Sequence, residues 1–185
     1  LAAEDLYRVY DEAARRGLYI QTYDREDVVI EARCEAAGAE RYCAAIGMDW
    51  RRIEDVRRDL TELPVKALLL DYENREPLED MKRWVRSELA GRVDCFFSSR
   101  YFLEVVPTGV NKGFATTELC RRLGIDVRRS VAVGDENNDV SMIRAAGVGV
   151  AMANAVQAAK DAADYVTLRD NNHDGIEEVI RKFVL

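Results

Sequence analysis

The chain has 185 residues, 48% of them apolar, and carries a net charge of -7 with a pI near 4.9. This length and apolar content are enough for one large or two small folded domains. The acidic balance argues against a nucleic-acid backbone or an anionic membrane as the main partner, but not against phosphorylated small molecules, because one divalent ion and one lysine can dominate a local field.

The four cysteines form no C-x-x-C pair and lie among apolar neighbours, which is typical of reduced thiols in a cytoplasmic protein. No segment approaches the roughly 18 apolar residues of a membrane span. The first residues lack the basic and apolar regions of a signal peptide. We therefore expect a cytoplasmic protein.

The first 106 residues predict a small α+β domain with a largely antiparallel sheet. Apolar residues at helical spacing predict helices over residues 1–16, 34–46, 50–60 and 77–90. Short apolar or alternating runs predict strands over 18–23, 27–31, 65–70, 93–97 and 101–106.

After Pro107 the pattern changes to helices and strands in strict alternation, so we place the domain boundary there, between residues 1–106 and 107–185. The predicted helices are 114–123, 140–146, 155–162 and 176–183, and the predicted strands are 131–133, 148–152 and 165–167. Repeated βα units with short connections predict an α/β fold with a doubly wound parallel sheet.

One stretch of this half carries candidate chemistry. A strand pattern ends at Gly134 and is followed by Asp135 and Asp139, with Asn137 and Asn138 between them. Ligands bind at the carboxyl ends of strands in open α/β sheets, and carboxylates beside carboxamides are typical of a hard-cation site. The pattern alone is equally consistent with a simpler interpretation, in which Asp135 is a turn residue and Asp139 caps the following helix.

Lys112 is the second candidate. It leads into a predicted helix, where a positive charge opposes the helix dipole unless an anion is also present. That position suggests phosphate binding, although an exposed loop lysine explains it more simply.

Several motifs occur in order in this half: Lys112-Gly113 at a helix start, Gly-Asp-x-x-Asn-Asp over 134–139, Gly-Val-Ala-Met-Ala-Asn over 149–154, and Asp174-Gly175-Ile176. Together they resemble the C-terminal half of the haloacid dehalogenase-like (HAD) hydrolases, most of all the Cof-type sugar-phosphatase branch. The resemblance is strong from about residue 102 onward and looser over the front, whose element order is similar to the family's cap. It implies a Rossmann-like HAD core plus a separate α+β cap domain that selects the substrate.

The same resemblance implies a Mg²⁺-dependent phosphatase of small phosphorylated metabolites such as sugar phosphates. It makes Lys112 the lysine that orders the nucleophile and the transferring phosphoryl group. Asp135 becomes a Mg²⁺ ligand, Asp139 an acidic residue in or behind the metal shell, and Asn138 a phosphate or substrate contact. Phosphoryl transfer needs mainly positioning and charge neutralisation, which Mg²⁺ and a lysine supply.

One part of the family pattern is absent. Family members open with a strand ending in Asp-x-Asp-Gly-Thr, whose first Asp is the nucleophile, and the 185 residues contain no such motif. We expect that the chain begins inside the cap and is catalytically incomplete alone, because covalent catalysis needs the attacking carboxylate. The missing N-terminal core segment would then be supplied in cis, in trans or by swapping.

Two other functions compete with this one. A non-catalytic relative that binds a metal or phosphate, or a truncated product, would also lack the nucleophile. A phospho-receiver domain also uses acidic residues at a sheet end, but it predicts a single domain, which the first 106 residues contradict.

Two further polar residues of this half have simpler interpretations. His173, the only histidine, lies among turn formers and is predicted to be in a surface loop. Asn154 is predicted to cap a helix that begins at Ala155.

Overall fold

Two units make up the chain, which a computed structural model describes over residues 1–185: Leu1–Gly109 and Val110–Leu185. No helix in either unit has both the length and the apolar character needed to cross a membrane.

The first unit contains four helices and six strands. They are α1 (Ala3–Arg15), β1 (Ile20–Tyr23), β2 (Val28–Glu31), α2 (Ala36–Ile46), β3 (Trp50–Ile53), α3 (Val56–Asp59), β4 (Ala67–Leu70), α4 (Glu76–Glu88), β5 (Val93–Ser99) and β6 (Phe102–Pro107). The strands form one sheet in the order β3-β2-β1-β4-β6-β5. Only the pairing of β2 with β3 is parallel, so the sheet is largely antiparallel, as predicted.

The helix predicted over residues 50–60 is wrong. Its first residues form β3, and only α3 is helical. Parallel pairing with β2 places Arg51 where its guanidinium donates to Asp24 at 2.7 Å. The Glu31 carboxylate then accepts the Val56 N–H at 3.0 Å and starts α3. Tertiary pairing thus overrides the helical spacing of this segment.

Helices α1 and α4 supply apolar residues to the buried core of the first unit, together with all six strands of the sheet. Its fully buried members include Leu6, Val9, Leu78, Met81, Ile20, Leu69 and Leu103. Burying this many large side chains is the main favourable contribution to folding of the unit.

Glu12, in the last turn of α1, links stability to pH. Hydrogen bonds from Arg15, and less strongly from Arg16, outweigh the effect of burial and lower the pKa of Glu12 from 4.5 to about 2. Because the folded-state pKa is depressed, these bonds stabilise the fold above pH 4.5 and lose their effect as the pH falls toward 2. We expect Glu12→Gln to lower the free energy of unfolding by about 1 kcal/mol at neutral pH, a small value because water screens the exposed Arg15.

Trp50 and Trp84, the only tryptophans, both lie in the first unit, so their fluorescence during urea unfolding measures this effect. Asp11→Asn is the matched control, because the pair of Asp11 with Arg57 is exposed and contributes little. If Glu12→Gln lowered the free energy of unfolding equally at acidic and at neutral pH, the prediction would be contradicted.

The second unit contains α5 (Lys112–Leu123), β7 (Val131–Gly134), α6 (Val140–Ala145), β8 (Val148–Ala151), α7 (Gln157–Ala162), β9 (Tyr165–Val166) and α8 (Gly175–Phe183), with short 3-10 turns at Val127–Arg129 and Asn137–Asp139. Its three strands are parallel, in the order β7-β8-β9. The α/β class with a parallel sheet is therefore confirmed, and the loops after all three strands leave the same edge of the sheet.

β7 pairs on one side only. The N–H and C=O groups along its other side have no strand partner in the chain. An open strand edge of this kind can pair with another segment.

Candidate active site

Asp135 lies directly after β7, at the carboxyl end of the parallel sheet. The preceding Gly134 packs against Asp139, and a Cβ at Gly134 would lie 2.3 Å from the Cβ of Asp139. Glycine is therefore required for the turn to fold back onto that carboxylate.

The buried side chain of Asp139 closes this turn. Its Oδ2 accepts the backbone N–H groups of Asp135 at 2.9 Å and of Glu136 at 3.0 Å. The residue is only 4% exposed. Burial by itself would raise the pKa of Asp139, but hydrogen bonds from Lys112 and from the two backbone N–H groups outweigh it and hold this pKa below the ordinary value.

Lys112 is the first residue of α5, and its Nζ forms an ion pair with Asp139 Oδ1. The helix start is held close to α6, because the Gly113 N–H donates to Ser141 Oγ at 3.1 Å. A Cβ at Gly113 would lie 2.4 Å from the Ser141 carbonyl oxygen. The anion that the helix start calls for is thus supplied within the chain by Asp139, while the Lys112 side chain remains 48% exposed.

Asn138 adds a second polar group to the turn. Its Oδ1 is buried and has no hydrogen-bond partner. A buried acceptor without a partner costs free energy unless a donor or a cation reaches it. The structure therefore brings Lys112, Asp135, Asn138 and Asp139 together at the end of β7.

Asn171 and Asn154 complete the arrangement. Asn171 Nδ2 donates to Asp135 Oδ2 at 2.9 Å, and the Asn171 N–H donates to Asn154 Oδ1 at 3.2 Å. Asn171 was not among the predicted site residues. The capping role predicted for Asn154 is wrong, because α7 begins at Gln157. His173 is in an exposed loop, as predicted, and contacts Asp170. Applying the strand-end rule to the strand 165–167 as well would have pointed to Asn171.

The donor set fits part of a Mg²⁺ site. No group of three or more His, Cys, Asp or Glu side chains in the chain could hold a metal ion. Asp135 and the unpartnered Asn138 Oδ1 are hard oxygen donors of the kind that Mg²⁺ prefers. Mg²⁺ is commonly held by one or two carboxylates, with water and substrate phosphate completing its shell. These residues therefore suit Mg²⁺ when water and phosphate oxygens supply its remaining ligands.

A model of the haloacid dehalogenase-like hydrolase family matches residues 1–180. A haloacid dehalogenase-like hydrolase from Bacteroides thetaiotaomicron is 33% identical, with a TM-score of 0.84, and the match covers 98% of this chain and 66% of that one. The 5-amino-6-(5-phospho-D-ribitylamino)uracil phosphatase YcsE of Bacillus subtilis (strain 168) is 37% identical over 110 residues, which are 60% of this chain and 41% of that protein.

The HAD subclass IIB sugar phosphatase BT4131 has the same fold, with a TM-score of 0.80 at 20% identity over 97% of this chain and 66% of its own. The matched stretches thus cover 66% or less of these three proteins.

Proposed function

Because this chain belongs to the haloacid dehalogenase-like hydrolase family, as its motifs predicted, we propose that it forms the larger part of a Mg²⁺-dependent phosphatase of small phosphorylated metabolites such as sugar phosphates. The observation that carries the proposal is the contact set at the end of β7. Buried Asp139 holds both the half-exposed Lys112 and the turn that carries Asp135. A fixed lysine beside a carboxylate at a strand end suits phosphoryl transfer, which depends on positioning and charge neutralisation.

Each residue then has a distinct role. Lys112 binds the transferring phosphoryl group, and Asp135 is the Mg²⁺ ligand. Asp139 supports both from behind, because its oxygens already accept Lys112 and two backbone N–H groups. Asn138 contacts phosphate or substrate through Nδ2, because its Oδ1 can only accept a hydrogen bond or face the cation. When bound, Mg²⁺ would neutralise phosphate charge.

The attacking carboxylate comes, in this proposal, from a segment outside the 185 residues, supplied in cis, in trans or by swapping. Two observations support this: the motif Asp-x-Asp-Gly-Thr is absent, and one edge of β7 is open to another strand. The chain alone would be catalytically incomplete. The unit Leu1–Gly109 would act as the cap that selects the substrate, and the four free cysteines fit the cytoplasm.

Phosphate release from a panel of sugar phosphates tests the proposal. The assay compares the chain alone with a protein in which a strand ending in Asp-x-Asp-Gly-Thr precedes it. We expect activity only from the latter, lost with a chelator and restored by Mg²⁺. Activity of the chain alone, or activity that a chelator leaves unchanged, would contradict the proposal.

A non-catalytic relative that binds a metal or phosphate is the second candidate. The lack of an attacking carboxylate motif in the 185 residues favours it. In that case Mn²⁺ or inorganic phosphate would bind, and the extended protein would release no phosphate.

A further inference from the structure

We propose that Asn171 is a positioning residue for Asp135, an inference that rests on the function proposed above. Asn171 Nδ2 donates to Asp135 Oδ2 at 2.9 Å, which is the one side-chain hydrogen bond that this carboxylate receives. The bond fixes the rotation of the carboxylate and leaves Oδ1 without a protein donor. Asn171 therefore presents one defined oxygen to a cation.

Asn171 is itself held by the neighbouring strand end. Its backbone N–H donates to Asn154 Oδ1 at 3.2 Å. The loops after β7, β8 and β9 thus contribute Asp135, Asn154 and Asn171 in turn, and two hydrogen bonds join all three. The position of Asp135 depends on both loops.

The loop that carries Asn171 is fixed on both sides. Thr167, 4% exposed, accepts the Ala153 N–H at 2.9 Å and donates to the Arg169 carbonyl at 2.5 Å. At the other end a Cβ on Gly175 would lie 2.4 Å from the Met152 Cε and 2.6 Å from the Arg169 carbonyl oxygen, so only glycine allows this approach. A loop held in this way can aim a side chain.

Carboxamide chemistry suits this task. The neutral amide donates a hydrogen bond to Asp135 without competing for the cation, whereas a carboxylate at position 171 would repel Asp135 and a lysine would repel the metal. Mg²⁺ demands a near-ideal octahedral arrangement, so the orientation of each ligand affects affinity. Partners that orient metal ligands typically change affinity by about 10- to 100-fold when removed.

Mn²⁺ binding to the full 185-residue chain tests the inference, with free Mn²⁺ measured by electron paramagnetic resonance up to millimolar concentrations. We expect Asn171→Ala to weaken Mn²⁺ binding about tenfold. Asn172→Ala is the matched control, because Asn172 has the same side chain in the same loop but only its backbone N–H is bonded, to Asp170. Its affinity should equal that of the wild type. Asp135→Asn should remove the site.

The outcomes distinguish a failure of the positioning role of Asn171 from a failure of the proposed metal site. If Asp135→Asn loses Mn²⁺ but Asn171→Ala binds it like the wild type, the positioning role is overturned and the proposed function stands. If the wild-type chain binds no Mn²⁺, or Asp135→Asn binds it unchanged, the metal assignment in the proposed function is overturned and this inference with it.

Two further measurements guard against a purely structural effect. Mg²⁺ should shift the side-chain amide resonance of Asn171 in nuclear magnetic resonance spectra of the wild type but not of Asp135→Asn; an unshifted wild-type resonance would contradict the inference. Should Asn171→Ala fail to fold, Asn154→Ala removes only the acceptor of the Asn171 N–H and should also weaken Mn²⁺ binding. Unchanged affinity of a folded Asn154→Ala variant would count against the coupled loops.

Discussion

Replacing Lys112 by alanine is expected to lower kcat for phosphate release by about 10²- to 10³-fold in the protein that also carries the Asp-x-Asp-Gly-Thr strand. Asp139 holds the ammonium group in place before substrate arrives, so its charge needs no reorganisation as charge develops on the transferring group. The side chain is half exposed, which leaves it accessible to a second anion. Steady-state kinetics with a sugar phosphate at saturating Mg²⁺ would measure the effect.

Two variants serve as controls for this prediction. Lys160→Ala removes a lysine of α7 that has no carboxylate partner and should leave kcat unchanged. Lys112→Arg keeps the charge but replaces a compact ammonium with a planar fork, and should restore only part of the activity. A rise in KM for Lys112→Ala with kcat unchanged would show that Lys112 binds the ground state and the transition state equally and does not accelerate the chemical step.

Asp139→Ala is expected to lower the free energy of unfolding of the second unit by about 3 kcal/mol, mainly because it leaves two N–H groups without their acceptor. Loss of the ion pair adds less, because Lys112 is half exposed. The depressed pKa of Asp139 means that its ionised form stabilises the folded state. This contribution to the free energy of unfolding is complete above the unfolded-state pKa near 3.8 and is lost as the pH falls through the folded-state pKa.

Tryptophan fluorescence does not report on this change, since both tryptophans lie in the first unit. Hydrogen exchange of the Asp135 and Glu136 amides does, because both amides donate to Asp139. Asp139→Asn keeps an acceptor for the two amides but loses the ion pair with Lys112, so its loss of exchange protection should be intermediate. Asp126→Ala, at an exposed turn of the same unit, is the control for removing an aspartate that accepts a backbone N–H. Equal protection in Asp139→Ala and wild type would refute the closing role of Asp139.

Much of the second unit could be predicted from the sequence, because its signals are local. Apolar runs of strand length end at Gly134 and recur with helical segments between them, which indicates parallel pairing. Gly113 lies directly after Lys112, and its lack of a side chain allows α5 and α6 to approach. Sequence motifs thus pointed to Lys112 and Asp139, although 27 residues separate them.

The rest depends on contacts between segments that no local pattern encodes. Residues 50–60 have helical spacing, yet pairing with β2 makes the first four a strand. Asn171 reaches Asp135 through a loop in which Asp174 takes a left-handed conformation, with φ of 60°, before α8. The turn-forming residues of this loop predict that a loop is present, but they do not predict where its side chains lie.

The turn after β7 is a ring of fixed size, closed by the side chain of Asp139 onto the N–H groups of Asp135 and Glu136. A closed ring can accept a changed side chain at its exposed positions, Glu136 and Asn137, but not a changed number of residues. One inserted residue between Gly134 and Asp139 would carry the carboxylate away from both N–H groups. In a library of single-residue insertions selected for folded protein, insertions in this stretch should be depleted. Insertions in the exposed link at residues 124–126 should be retained.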